Sequence, residues 1–134
     1  MSRRWRVLIG LASALAVSSC SAGPSTDAVE ATASRLAGAL ANGDFAAACA
    51  LLMDTTRSEL ESDSGKSCAD AIGAVDVPTS MQIDDAEVYG VNAIVRTTSD
   101  VLFLSETAGE WRVVAAGCQP RPVPHPYDCT LKAG

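Results

Sequence analysis

Aromatic side chains are scarce in this chain: two Trp, two Tyr and two Phe among 134 residues, with a single His and only two Lys. Basic residues do not cluster anywhere beyond the first few positions. Arg3, Arg4 and Arg6 open the sequence, whereas every acid lies after Cys20, leaving seven cations against 16 acids from there on, a net of −9. A body that acidic repels phosphate, so nucleic acid is excluded as a partner. There is no Gly-rich loop to cradle a phosphate and no Cys-x-x-Cys. The sole His125 is held between Pro124 and Pro126. Zinc therefore lacks its ligand spacing and a redox-active thiol pair is missing, so neither a metal nor a cofactor is expected. Long apolar runs are absent too. The stretch from Val7 to Val17 is only about 11 residues, too short to cross roughly 30 Å of hydrocarbon.

That short run is nevertheless informative. A basic start, an apolar core and the small residues Ser18-Ser19 make the three parts of an export signal. Val17-Ser18-Ser19-Cys20 resembles the bacterial lipobox, in which small residues let the strand enter the peptidase and the Cys thiol carries a diacylglyceryl thioether. The resemblance implies that residues 1–19 are a lipoprotein signal peptide and that Cys20 is lipidated and becomes the new N-terminus. Two or three acyl chains hold a protein on a bilayer where one does not. The expected location is the outer face of the bacterial cell membrane, lipid-anchored through Cys20. Residues 20–26, with Ser21-Ala-Gly-Pro-Ser25, form a small, flexible tether.

Cys49, Cys68, Cys118 and Cys129 remain. An even number of thiols in an exported chain reads as two disulfides, with three connectivities open. The sequential pairs Cys49–Cys68 and Cys118–Cys129 are favoured, because each closes a short loop beside expected turns. Each contributes roughly 3 kcal/mol on the chain-entropy account.

Between the tether and Pro78 the pattern is helical. Asp27 and Glu30 read as a capping box, after which Val29, Ala33, Leu36 and Leu40 fall on one face. Asn42-Gly43 ends that helix and Asp44 caps a second, with Phe45, Ala48, Cys49 and Leu52 inward. Thr56 and Glu59 repeat the capping pattern for a third helix bearing Leu60. Asp63–Lys66 is a loop, and Ser67 opens a last short helix through Cys68 and Ile72. Past Pro78, residues 81–89, 92–98, 100–106 and 110–116 are rich in Val, Ile, Thr and aromatics and are joined by short turns, which predicts consecutive antiparallel hairpins. The run Val101-Leu-Phe-Leu104 predicts a central strand covered on both faces. Alternating Pro120, Pro122, Pro124 and Pro126 keep residues 118–134 out of a sheet interior, as an extended tail pinned by Cys118–Cys129. Helices followed by an antiparallel meander define an α+β fold, with the helices packed on one face of a curved sheet.

The stretch from Arg35 to Leu52, in which an amphipathic helix ends at Gly43-Asp44 and a second helix returns, resembles the opening of the nuclear-transport-factor-2-like (SnoaL-like) superfamily. Glu110-Trp-Arg-Val-Val-Ala115 is similar to its closing strand, and the layout is similar to small lipoproteins of high-GC Gram-positive bacteria. The 23 Ala and two Lys agree with such a genome. The resemblance covers residues 27–117 and implies a cone-shaped cavity that serves as an isomerase or hydratase pocket, a ligand site or packed core. It also implies that a homodimer could form through the sheet. Its enzymes use an Asp/His or Asp/Tyr pair inside the cone. Tyr89 and Asp100 match those residue types, but Tyr89 reads as an edge aromatic and Asp100 as a turn acid. Asp84 and Asp85 are strand neighbours on opposite faces, crowded by Glu87, and cannot share a proton. His125 has only Asp128 as an acidic orienter. The floor helix offers Ala28, Ala31, Ala33, Ala37 and Ala39, which are inert. No catalytic residue is assigned. The expectation is a non-catalytic, lipid-anchored extracytoplasmic module that binds a small apolar ligand or an envelope protein. The competing reading is an exported isomerase- or hydratase-type enzyme with an acid–base carboxylate in the cone.

Overall fold

The computed structural model describes residues 25–134. The expected signal peptide, the lipidation site Cys20 and the start of the tether lie outside the described residues. Helix α1 (Asp27–Ala41) is followed by α2 (Phe45–Ala50), α3 (Asp54–Ser64) and α4 (Cys68–Ala71), the last running into a 3₁₀ turn at Ile72–Ala74. Strands β1 (Ile83–Tyr89), β2 (Asn92–Thr97), β3 (Val101–Thr107), β4 (Glu110–Gln119) and β5 (Asp128–Lys132) then form one open antiparallel sheet in the order β1-β2-β3-β4-β5. The fold is α+β, helices first and meander second.

Helix α1 buries the face that its spacing predicts, with Val29, Ala33 and Leu36 fully enclosed and Leu40 half-buried. Its start differs by one residue. Thr26 occupies the N-cap position without a side-chain bond, Asp27 is already helical, and the Ser25 hydroxyl accepts from the Asp27 N–H at 3.2 Å. The carboxylates of Asp27 and Glu30 thus lie in the first turn, where they complement the helix dipole. Asp44 and Ser67 do cap α2 and α4, accepting from the N–H groups of Ala47 and Asp70.

Thr56 does not cap α3. The helix begins at Asp54, Thr56 sits inside it fully buried, and its hydroxyl donates to the Val114 carbonyl at 2.8 Å. The reason is tertiary. The Met53 N–H donates to Val113 O and the Val113 N–H to Leu51 O, each at 2.8 Å, so the chain enters α3 directly from the flank of β4. Leu104 pairs with Val113 and Phe103 with Ala115, leaving Val114 as an extra residue in a bulge. Its carbonyl is the one that Thr56 satisfies.

A second bulge, at Ala116 and Gly117, shifts β4 again before Cys118 pairs with Val101. The outer flank of β4 is therefore shared. Leu51–Met53 cover its first half and β5 covers its second, from Ala115 to Gln119. Residues 118–134 are accordingly more than a tail: Cys118 and Gln119 finish β4, and Asp128–Lys132 supply the edge strand β5. The four prolines stay in the connecting loop, out of the ladder, as their missing N–H requires.

The inner face of the sheet (Ala93, Val95, Leu102, Leu104, Val113, Ala116, Leu131) packs on Val29, Ala33, Leu36, Leu52 and Ile72. A smaller outer cluster gathers Ile94, Val101, Ala115 and Cys118 with Phe103 and Cys129. Tyr127, from the Pro-rich loop, stands edge-on to Phe103 with ring centroids 5.1 Å apart. Both faces of β3 are thus covered. The Cys49–Cys68 disulfide ties α2 to α4, and Cys118–Cys129 ties β4 to β5.

Candidate functional site

The space between the helices and the sheet is filled. Val29, Leu36, Leu52, Ile72, Val95, Leu102, Leu104 and Val113 are each less than 2% exposed. Asp100 is the one buried carboxylate among the described residues, at 5% exposure. It lies at the turn between β2 and β3, as its sequence context indicates, yet it points into protein. One carboxylate oxygen accepts from the Thr97 hydroxyl at 2.8 Å and the other from the Gly117 N–H at 2.9 Å. The Asp100 N–H donates in turn to the Thr97 hydroxyl oxygen at 3.0 Å. These bonds lock the turn to the second bulge of β4, which is a structural task.

Tyr89 is 59% exposed at the end of β1. Its hydroxyl donates to the Glu87 carboxylate, and Arg96 on β2 donates to Glu87 at 2.9 Å and to Asp85 at 2.7 Å. Residues 85, 87 and 89 share one face of the strand, so the four side chains form a surface ladder. The Tyr89 hydroxyl and then Arg96 hold the Glu87 carboxyl below its ordinary range. Glu87 in turn pushes the Tyr89 phenol up, and it also raises Arg96, with Asp85 adding to the effect. Asp84 and Asp85 are both exposed on this edge strand, where charge discourages pairing with another chain. His125 and Asp128 are exposed in and beside the Pro-rich loop. Tyr89, Asp100 and His125 are not brought together by any hydrogen bond, and no three His, Cys, Asp or Glu side chains among the described residues converge as a metal site needs.

What the structure does assemble is an outward-facing cleft of about 530 Å³ between α1, α2 and the β3–β4 hairpin. Helix α1 contributes Ala28, Ala31, Thr32 and Arg35, a stripe at helical spacing beside the buried one. Helix α2 contributes Ala47 and Ala50, followed by Leu51, while Gly109, Glu110, Trp111 and Arg112 come from the hairpin. Ala108 and Gly109 both have positive φ, 52° and 79°, which gives the tight two-residue turn that returns the chain into β4, where Trp111 and Arg112 line the cleft. Arg112 donates to the Ala50 carbonyl and, at 2.6 Å, to Glu110. Arg35 makes no ion pair among the described residues. Sequence pattern alone marks the alanines of α1 only as an inert floor and gives no role to Arg35 or Arg112. The available signal was that positions 31, 32, 38 and 39, one helical turn either side of Arg35, hold no acid. The volume is that of a small-molecule site.

Compared with protein-family models, curated proteins and solved structures, the chain matches none. No helix among the described residues is long and apolar enough to cross a membrane.

Proposed function

We propose that this chain is a non-catalytic binding module of the cell envelope, anchored by lipid at Cys20, with its helices and five-stranded sheet forming an NTF2-like cone whose interior is given over to packing. The observation that carries the reading is the filled interior: the apolar side chains from Val29 to Val113 occupy the space where an enzyme of this layout would hold substrate. General acid–base catalysis needs a titratable group free to exchange a proton with a bound molecule. Both oxygens of Asp100 are instead engaged by Thr97 and Gly117. The exported-enzyme reading therefore gains no support from the buried carboxylate. Binding falls to the outward cleft, whose alanine floor and Trp111 suit an apolar body, either a small ligand or a segment of an envelope protein.

In-cell photo-cross-linking tests the proposal. A photoreactive side chain placed at Ala31, in the cleft, should give a discrete adduct, whereas one at Ser62, exposed on α3, should not. Equal labelling from the two positions, or none from Ala31, would overturn it.

A further inference from the structure

The cleft pairs an apolar floor with two cations in a chain whose body carries a large excess of acid. Seven cations face 16 acids from Cys20 onward, and two of the seven, Arg35 and Arg112, line this one cleft. Glu110 is the one acid lining it, and its carboxylate is already bonded to Arg112. The cleft thus has a net charge of about +1 at neutral pH, with Arg35 unpaired among the described residues. Arg112 is fixed by the Ala50 carbonyl and by Glu110. A guanidinium carries five N–H donors, so it retains capacity for a further acceptor. The long-range repulsion of an anion by the acidic body is screened within about 8 Å at physiological ionic strength, so these nearby charges decide recognition.

We propose that the cleft binds a single-chain carboxylate, its apolar tail against the alanines and Trp111 and its head group on Arg35 and Arg112. This rests on the reading of the chain as a binding module and specifies the ligand chemistry. An apolar tail alone would be recognised by the floor, and a carboxylate alone by the rim. The combination calls for an amphiphile.

Trp111 reports on the site directly. In the full chain carrying Trp5→Phe it is the sole indole, so its emission can be followed during titration with dodecanoate below its micellar concentration. Dodecanol serves as the neutral analogue and acetate as the isolated head group. A saturable change is expected with dodecanoate, with dodecanol about tenfold weaker and acetate weaker still, the tenfold being shared between the charge-assisted contacts to Arg35 and Arg112. Arg35→Gln, which removes an exposed side chain with no ion pair among the described residues, should weaken dodecanoate about threefold and leave dodecanol unchanged. Adding Arg112→Gln should bring the two ligands level. If dodecanol binds as tightly as dodecanoate, the carboxylate proposal fails while the binding-module reading stands. If no ligand alters Trp111 emission, the proposal fails as well, and the photo-cross-linking result at Ala31 then judges the wider reading independently.

Discussion

The Asp100 carboxylate and the Gly117 N–H, 17 residues apart in sequence, meet at 2.9 Å inside the protein and fasten the β2–β3 turn to the bulged part of β4. Truncation by Asp100→Ala would leave the Gly117 N–H and the Thr97 hydroxyl without this acceptor, a loss of about 3 kcal/mol. Asp100→Asn keeps one carbonyl acceptor and should cost about half as much. Urea unfolding of the two variants beside the parent checks this. An unchanged midpoint for Asp100→Ala would show that the bond contributes nothing.

Gly117 also tests the bulge from the backbone side. Its φ is +64°, and a Cβ there would lie 2.1 Å from the Thr130 hydroxyl and 2.8 Å from the Asp76 carbonyl. Gly43 has a similar φ of +70° but open space around it. Gly43→Ala should therefore cost only the left-handed penalty, about 1 kcal/mol, and Gly117→Ala about 3 kcal/mol or more. Similar unfolding midpoints for the two variants would contradict the packing at Gly117.

Non-reducing peptide mapping should recover Cys49–Cys68 and Cys118–Cys129 as the linked pairs. The bridges close loops with sequence separations of 19 and 11. Replacing either pair by alanines should lower stability by roughly 3 kcal/mol. Crossed linkages or free thiols would refute the corresponding half.

The surface ladder of Asp85, Glu87, Tyr89 and Arg96 predicts a pH dependence at both ends of the range. Glu87 titrates below its ordinary value of 4.5 when folded, so its contribution is present above that value and is lost as pH falls through the lowered one. The Tyr89 phenol is raised above its ordinary value of 10.0, so its contribution is present below that value and is lost as pH rises through the raised one. Tyr89→Phe should remove the ladder's alkaline contribution and flatten the acid limb of the stability profile, and Arg96→Gln should flatten the acid limb to a lesser degree. Urea midpoints from about pH 3 to about pH 11 measure both. The effects should be small, since all four side chains are solvent-accessible. Parallel profiles for parent and variants would show that the ladder contributes nothing to stability.

Cys20→Ala tests the anchor. The unaltered protein should incorporate labelled palmitate and fractionate with membranes, and the variant should remain as unlipidated precursor. Normal maturation and fractionation of the variant would end the lipid-anchor proposal.

Local pattern is legible in the sequence wherever local forces decide the structure. The spacing of Val29, Ala33 and Leu36 named the buried face of α1, the hairpin turns separated the first four strands, and the cysteine count led to the two bridges. It fell short where distant chain segments intervene. Thr56 looks like a cap, yet pairing of Leu51–Met53 with Val113 moves the helix start and turns that hydroxyl to Val114. Strand β5 is a five-residue run just after a proline series, and it is stabilised by β4 rather than by its own composition. Arg35 and Arg112 line one cleft only because the β3–β4 hairpin returns to α1, which no local window reveals.

Amide shift mapping of the full chain during dodecanoate titration tests most directly the claim that the interior is packed and that binding occurs outside it. Perturbed signals are expected at Ala31, Thr32, Arg35, Ala50 and Arg112, with the amides of Leu36, Leu102 and Leu104 unmoved. Perturbation centred on those three leucines, with the α1–α2 cleft silent, would contradict that claim.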